Sequence, residues 1–546
     1  MNAKLLAVAL AAATLTACGG GGDTPTTGGD TTTTPVTPTT KISGTAATGA
    51  ALAGATVQAK CATGSGSATT AGDGTFTLNI ENAVRPCVLS VQVPDGPVMH
   101  SIVEAGTGTS AVANVTPLTE LVTAALVGGS TTDFFNTFDS AAQAKVTSDG
   151  VSSAVSAVSL SLSGTVDLTG FNPVTDTLVA AHGGSAGNAL DQAIDKLGAA
   201  LEASGTSLEE LSTAVAANPG STNGPIQTVL QASAASCSSL RSGKYFSVNT
   251  AENFIEVAVF DAAKMTLTYP FDGAVDNLVP HATEACRFSN TDAEYPSEIV
   301  VGKGGIALIR ELDGPKHVPR LLVPAQQISL EKKAGDWVGL TYGSTPSFPN
   351  AWIPSRVYIT FDAAGKVTAG SRCYSGQSCN ASTQADFPVI NAGSEGLSTT
   401  MSSTYGSGFM ISFMGTDGKM AMFATRPGGF TVYTQAMPLP LPVVNAETRY
   451  WDSVTDYTGT MSAFTSYTNR VTAVDEATKT YTRTRLEDGR VDSWTADKPT
   501  VGMRYRQASP GASEAYGIRL GGTTGLAAVI SANPNQNFYS LSVDRP

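Results

Sequence analysis

From Lys244 onward the sequence repeats one piece of turn chemistry between runs of strand-forming residues. Phe260-Asp261-Ala262-Ala263-Lys264 and Phe361-Asp362-Ala363-Ala364-Gly365-Lys366 are near-copies of each other. Thr416-Asp417-Gly418-Lys419, Asp475-Glu476-Ala477-Thr478-Lys479 and Glu487-Asp488-Gly489-Arg490 repeat the theme. Runs such as Gly408-Phe409-Met410-Ile411-Ser412-Phe413 flank these turns. Asp-Gly between β-rich runs is a strong short-range hairpin signal. Its recurrence predicts one large antiparallel β-meander, barrel- or propeller-like, over residues 236–546. The spacing is too irregular to set a blade count.

Residues 41–113 alternate apolar and small polar residues between Gly-rich turns, as in a small antiparallel sandwich. Gly54-Ala55-Thr56-Val57 precedes Asp73-Gly74-Thr75-Phe76, where Asp73-Gly74 predicts a hairpin and Phe76 and Leu78 point to the core. The pattern resembles the transthyretin-like, carboxypeptidase-regulatory β-sandwich family, which implies a spacer or binding module and carries no catalytic residues. The string Asn114-Val115-Thr116-Pro117-Leu118-Thr119-Glu120 then switches to helix, with Thr116 as N-cap and Pro117 at the first helical position. Leu190, Ile194, Leu197 and Leu201 recur at helical spacing, and Ser207-Leu208-Glu209-Glu210 opens a further helix ending near Asn218. Residues 114–235 are therefore expected to hold four to six helices. The predicted fold class is multidomain and mainly β, with a helical insert between the small sandwich and the large β-domain.

The first 17 residues have a short positive end and an apolar run, Leu5 to Ala13, too short to span a bilayer, which predicts a signal peptide. Leu15-Thr16-Ala17-Cys18 resembles the lipobox of bacterial lipoproteins. That resemblance implies lipidation of Cys18 and, with Gly19 following it, the outer membrane. The other reading is a secreted chain cut after Ala17. Residues 18–40 are almost entirely Gly, Thr, Pro and Asp and have no apolar surface to bury, so a disordered tether is expected. The order of segments resembles outer-membrane lipoproteins of Gram-negative bacteria, which implies a location facing the periplasm or cell surface.

Seven cysteines occur in the 546 residues. With Cys18 set aside, six remain as Cys61 and Cys87, Cys237 and Cys286, Cys373 and Cys379. Fifteen connectivities are open to six cysteines. Neighbour pairing is expected because each pair lies within one candidate domain, and an oxidising compartment supports such bridges. Zinc at Cys373-x5-Cys379 is disfavoured, since no His or further Cys lies at finger spacing. With 45 acids against 32 bases the net charge is −13, which argues against a nucleic-acid partner.

Few residues carry catalytic promise. His182-Gly183-Gly184-Ser185-Ala186-Gly187 contains G-x-S-x-G, the nucleophile-elbow pattern, with Asp191 or Asp195 and His281 or His317 as conceivable partners. That elbow requires a parallel sheet, and the region offers Ala-rich helices; a Gly-rich loop closing on a helix explains the same residues. Trp337, Trp352, Trp451 and Trp494, with Tyr467, Tyr481, Arg470, Arg483 and Arg485, are candidates for gripping a sugar or protein, or for cross-strand packing. Asp488 and Asp492 read as turn residues before glycosidase carboxylates. Asn290-Thr291-Asp292-Ala293-Glu294 is an incomplete calcium loop. No catalytic residue, metal or cofactor is assigned. The expectation is a lipid-anchored, non-enzymatic binding or scaffolding protein with a protein or glycan partner at its β-rich domain. A serine hydrolase using Ser185 and a carbohydrate-binding surface protein are the rival classes.

Overall fold

Period-two alternation between Thr39 and Val112 is realised as two small sheets that bury their apolar faces against each other. One carries the strands Thr75–Glu81, Thr39–Thr45 and Ser110–Val112; the other carries Ser65–Thr69, Thr56–Thr63, Val84–Gln92 and Val98–Val103. Phe76, Leu78 and Ile80 face the core, while Thr75, Thr77 and Asn79 face solvent. Asp73-Gly74 is a corner and not the expected hairpin. The strand before it pairs within the four-stranded sheet, and the strand after it pairs with Thr39–Thr45 in the other. The turn chemistry is as read: Asp73 Oδ1 accepts from the Thr75 N–H at 3.0 Å, and Gly74 has φ +78°. A sandwich needs both strands to face inward, so the chain changes sheets there. This computed structural model describes residues 38–546 except 95, 251–252, 291–294, 313–318, 346–347, 375–378, 382–388, 394–395, 405, 457–459 and 521–522. The expected signal peptide, Cys18, nearly all of the tether, His317 and residues 291–294 lie outside the described residues.

Seven helices follow among the described residues: α1 (Pro117–Val127), α2 (Thr131–Thr137), α3 (Ser140–Gln143), α4 (Ser148–Ser161), α5 (Ala189–Ser204), α6 (Leu208–Ala217) and α7 (Pro225–Val229). The count exceeds four to six because α2, α3 and α7 are too short to write a helical stripe into the sequence. Every polar residue of the Asn114–Glu120 string bonds at the joint between sandwich and helices. Asn114 accepts from the Thr45 N–H at 3.1 Å and donates to the Asp176 carbonyl at 2.8 Å. Thr116 accepts from the Thr119 N–H, and the Thr119 hydroxyl donates to the His100 carbonyl at 2.9 Å. Glu120 accepts from the backbone and ring N–H of His100 at 2.7 and 2.9 Å, from Thr131 at 2.6 Å and from Ser212 at 3.1 Å.

The expected antiparallel, barrel-like β-meander is present, divided among three sheets. Eight strands over residues 243–324 close into a barrel, because Gly243–Asn249 pairs with both Phe254–Asp261 and Pro319–Pro324. A nine-stranded antiparallel sheet follows, with Gly335–Thr345 paired to Gly429–Gln435 at its centre. A second eight-stranded barrel is closed by pairing Glu447–Asp456 with Phe538–Asp544. The five Asp-led turns named from the sequence are all hairpins, each joining adjacent antiparallel strands. In each the opening Asp accepts from backbone N–H groups downstream, as Asp362 does from Ala364 at 3.0 Å and Lys366 at 2.9 Å. One apolar core runs through the three sheets, joining Leu308 and Val323 of the first barrel, Leu340 and Tyr342 of the sheet, and Trp451 and Leu541 of the second barrel.

The six cysteines pair in sequence order. Cys61 and Cys87 are opposed across Thr56–Thr63 and Val84–Gln92. Cys237, just after the helices, reaches Cys286 at the fifth strand of the first barrel. Cys373 and Cys379 close a short loop beside the sheet edge.

Candidate functional site

The second barrel inverts the usual distribution of polarity. Along Glu447–Asp456, Trp451, Ser453 and Thr455 face outward and are buried against the rest of the molecule, whereas Thr448, Tyr450 and Asp452 line the lumen. The same alternation brings Arg483, Trp494, Arg504, Arg506 and Arg519 inward from four further strands. Two cavities, about 230 and 400 Å³, share Thr448, Asn469, Arg483, Arg504 and Arg519 as a common wall.

Asp492, 2% exposed, lies at the centre of this array. Arg483 donates to it at 2.6 Å and Arg490 at 3.0 Å, Arg506 lies 3.8 Å away, and the Trp494 indole N–H donates to it at 3.0 Å. Burial opposes its charge, but Arg483, then Arg506 and Arg490, hold the carboxyl below the usual range. Arg519 pairs with Asp544. Arg504, 7% exposed, makes no ion pair among the described residues. Its guanidinium lies 4.4 Å over the Trp494 ring and donates to the Tyr481 hydroxyl at 3.1 Å, while its Nε is buried without a partner. Burial, reinforced by the neighbouring Arg483 and Arg519, pulls the Arg504 pKa down, and burial takes Arg506 to about 10. Burial likewise pushes the Asp452 carboxyl up, towards its neutral form. A Cβ at Gly517 would come within 3.0 Å of Arg504 Nε and 3.1 Å of Trp494, so the bare backbone of Gly517 makes room for this stack.

Of the aromatic and basic candidates, Trp494, Tyr481 and Arg483 meet in this lumen. Tyr467, Arg470 and Arg485 do not: Arg485 stacks on Tyr467 at 4.0 Å, and Arg470 pairs with Glu447 at 2.6 Å on an exposed face. Trp337 and Trp451 are buried in packed cores, and Trp352 leans on Tyr342 at 5.2 Å. Asp488 sits on an exposed hairpin paired to Arg485, its pKa lowered by that hydrogen bond, while Asp492 is interior. Both carboxyls are held ionised, which suits neither to donate a proton. Arg490, Arg504, Arg506 and Arg519 escaped the sequence reading. Arg504-Tyr505-Arg506 was the available signal, because spacing of two on a strand places both guanidiniums on one face.

Ser185 is exposed in a tight turn whose ends bond each other: the Ser185 N–H donates to the His182 carbonyl at 2.8 Å, and Gly183 and Gly184 have φ +52° and +84°. Among the described residues no strand leads into it, and Asn188 caps the following helix α5. Asp191 accepts from the Ala181 N–H at 3.1 Å, Asp195 lies against Gly49, and His281 accepts from the Glu284 N–H at 3.2 Å. The structure does not assemble a triad from them. Asn290, at the start of the calcium candidate, donates to Asp276 at 2.8 Å. Among the described residues no group of three or more His, Cys, Asp or Glu is placed to hold a metal ion, and no helix is long and apolar enough to cross a membrane.

No protein-family model matches this sequence, and no curated protein does. Among solved structures, a DUF3598-family protein of unknown function from Nostoc punctiforme aligns with 40% of this chain and 100% of its own, at 12% identity and TM-score 0.16. The isotype 1 transferrin binding protein B of serogroup B Neisseria meningitidis aligns over 54% of this chain and 58% of its own, at 10% identity and TM-score 0.18.

Proposed function

We propose that this chain is an extracytoplasmic binding protein, held at the outer membrane through a lipid on Cys18, with its ligand seat inside the second barrel. In this reading residues 41–113 and 114–235 form the support that presents residues 236–546. The observation that carries it is the lumen itself. Five arginines stand against three aspartates there, in a chain whose net charge is −13. Burying unmatched charge costs several kcal/mol per ion, and an apolar interior is often more stable, so folding alone does not account for the array. The lipobox residues Leu15-Thr16-Ala17-Cys18 support the anchor, and three disulfides fit an oxidising compartment.

Thermal denaturation of the purified chain in the presence of a panel of small anions, neutral sugars and amino acids tests the seat. At least one compound is expected to raise Tm by several degrees, because a ligand that binds only the folded state at about 100 times Kd adds about 2.7 kcal/mol. The shift should vanish in Arg504→Gln. No shift from any compound, or shifts indifferent to Arg504, would sink the seat. Palmitate labelling that is lost in Cys18→Ser tests the anchor separately, and labelling of Ser185 by a fluorophosphonate would favour a hydrolase instead.

A further inference from the structure

The two cavities that meet at Arg483, Arg504 and Arg519 differ in chemistry, and the difference specifies a ligand. On one side three guanidiniums share the single Asp492 carboxylate, and Arg504 has no carboxylate partner among the described residues. On the other side the 400 Å³ cavity is walled by the strap Met437-Pro438-Leu439-Pro440-Leu441-Pro442, together with Val471 and Ala496. That volume is within the range of small-molecule sites, about 300–1,000 Å³. The strap is pre-formed. Three prolines restrict its backbone, and the Leu439 N–H donates at 3.0 Å to Asp497, which also accepts from the Gly502 N–H at 3.1 Å. A wall fixed in advance does not have to be ordered by the ligand it meets.

We infer that the second barrel binds one small amphiphilic oxyanion, a carboxylate or phosphate monoester on a short apolar body. The inference rests on the binding-protein reading above. The head sits against Arg504, flanked by Arg483 and Arg519, and the body lies along the 437–442 strap. Bidentate guanidinium donors match the planar carboxylate and the phosphate oxygens alike. The Tyr481 phenol records the local field: burial alone would raise its pKa, yet Arg504 and Arg483 hold it below the ordinary value.

Isothermal titration of the full disulfide-bonded chain with octanoate, octyl phosphate, octanol, acetate and inorganic phosphate tests this. One equivalent of octanoate or octyl phosphate should bind, and the tighter of the two identifies the head group. Octanol, acetate and inorganic phosphate should each bind at least tenfold more weakly than that amphiphile. Arg504→Gln should weaken the amphiphile tenfold or more, Arg504→Lys should restore part of the loss, and Leu441→Ser should weaken the amphiphile without changing the response to inorganic phosphate. If the Arg504 variants do not fold, the contrast of octanoate with octanol on the unmodified chain decides. Octanol binding as tightly as octanoate, or neither amphiphile binding, overturns the inference. A neutral sugar that binds and is lost in Arg504→Gln would leave the binding-protein reading standing while this ligand class falls. Silence from every compound in both experiments removes the two together.

Discussion

Glu120 accepts four hydrogen bonds on a carboxylate only 4% exposed, and those bonds come from a strand of the sandwich, from α2 and from α6. Glu120→Ala should therefore lower stability by about 3–5 kcal/mol, because it strands buried donors on three elements at once. Chemical denaturation measures this, and a loss under about 1 kcal/mol would mean that the joint does not depend on the network. Asp492 gives a pH prediction. Its folded pKa lies below the unfolded value near 3.9, so its contribution is present above about pH 4 and is lost as pH falls through the depressed value. Asp492→Asn should be less stable at neutral pH and lose less on acidification, as read from denaturation midpoints across acid pH. At this scale the sequence is legible where the partner is near. Thr116, Pro117 and Thr119 announce a helix start because a cap bonds within three residues. The lumen arginines are opaque for the opposite reason: alternation puts Arg504 and Arg506 on one face, but only barrel closure decides that this face is inside.

Hairpins are the elements that local chemistry specifies most completely, and two glycines separate backbone strain from steric conflict. Gly489 has φ +71°, and a Cβ there would meet nothing within 4 Å, so Gly489→Ala should cost only the left-handed penalty, roughly 1–2 kcal/mol. Gly365 has φ +79°, and a Cβ there would lie 3.0 Å from the Ile390 carbonyl oxygen, so Gly365→Ala should cost more. Thermal unfolding of the two variants side by side checks the order, and equal losses would refute it. The Asp73-Gly74 corner shows where this kind of reading stops. Turn residues say that the chain reverses, but whether the flanking strands pair or cross between sheets depends on which faces must be buried. Short helices such as α3 are invisible for a related reason, since four residues hold too little pattern to distinguish a helical turn from a loop.

At the scale of the molecule, the disulfides differ in how much chain they close. Loop-closure entropy predicts losses of about 4 kcal/mol for the Cys237–Cys286 bridge, about 3.5 for Cys61–Cys87 and about 2 for Cys373–Cys379 when each is replaced by serines. Sequence separations of 49, 26 and 6 residues set that order, and denaturation of the three double variants measures it. The division into two barrels and a sheet was not legible, because strands at similar spacing serve either; which strand returns to pair with the first is a long-range outcome. The two barrels, being closed, have no free rim. The nine-stranded sheet does, and its outermost strands, Asn380–Ala381 and Val389–Asn391, are two and three residues long, with the Cys373–Cys379 bridge beside the first. Long unpaired edges recruit foreign strands. A role for the smallest bridge, the least valuable for stability, as guard of that rim against amyloid-like templating predicts that its serine variant stays folded yet seeds thioflavin-positive aggregates sooner than the parent.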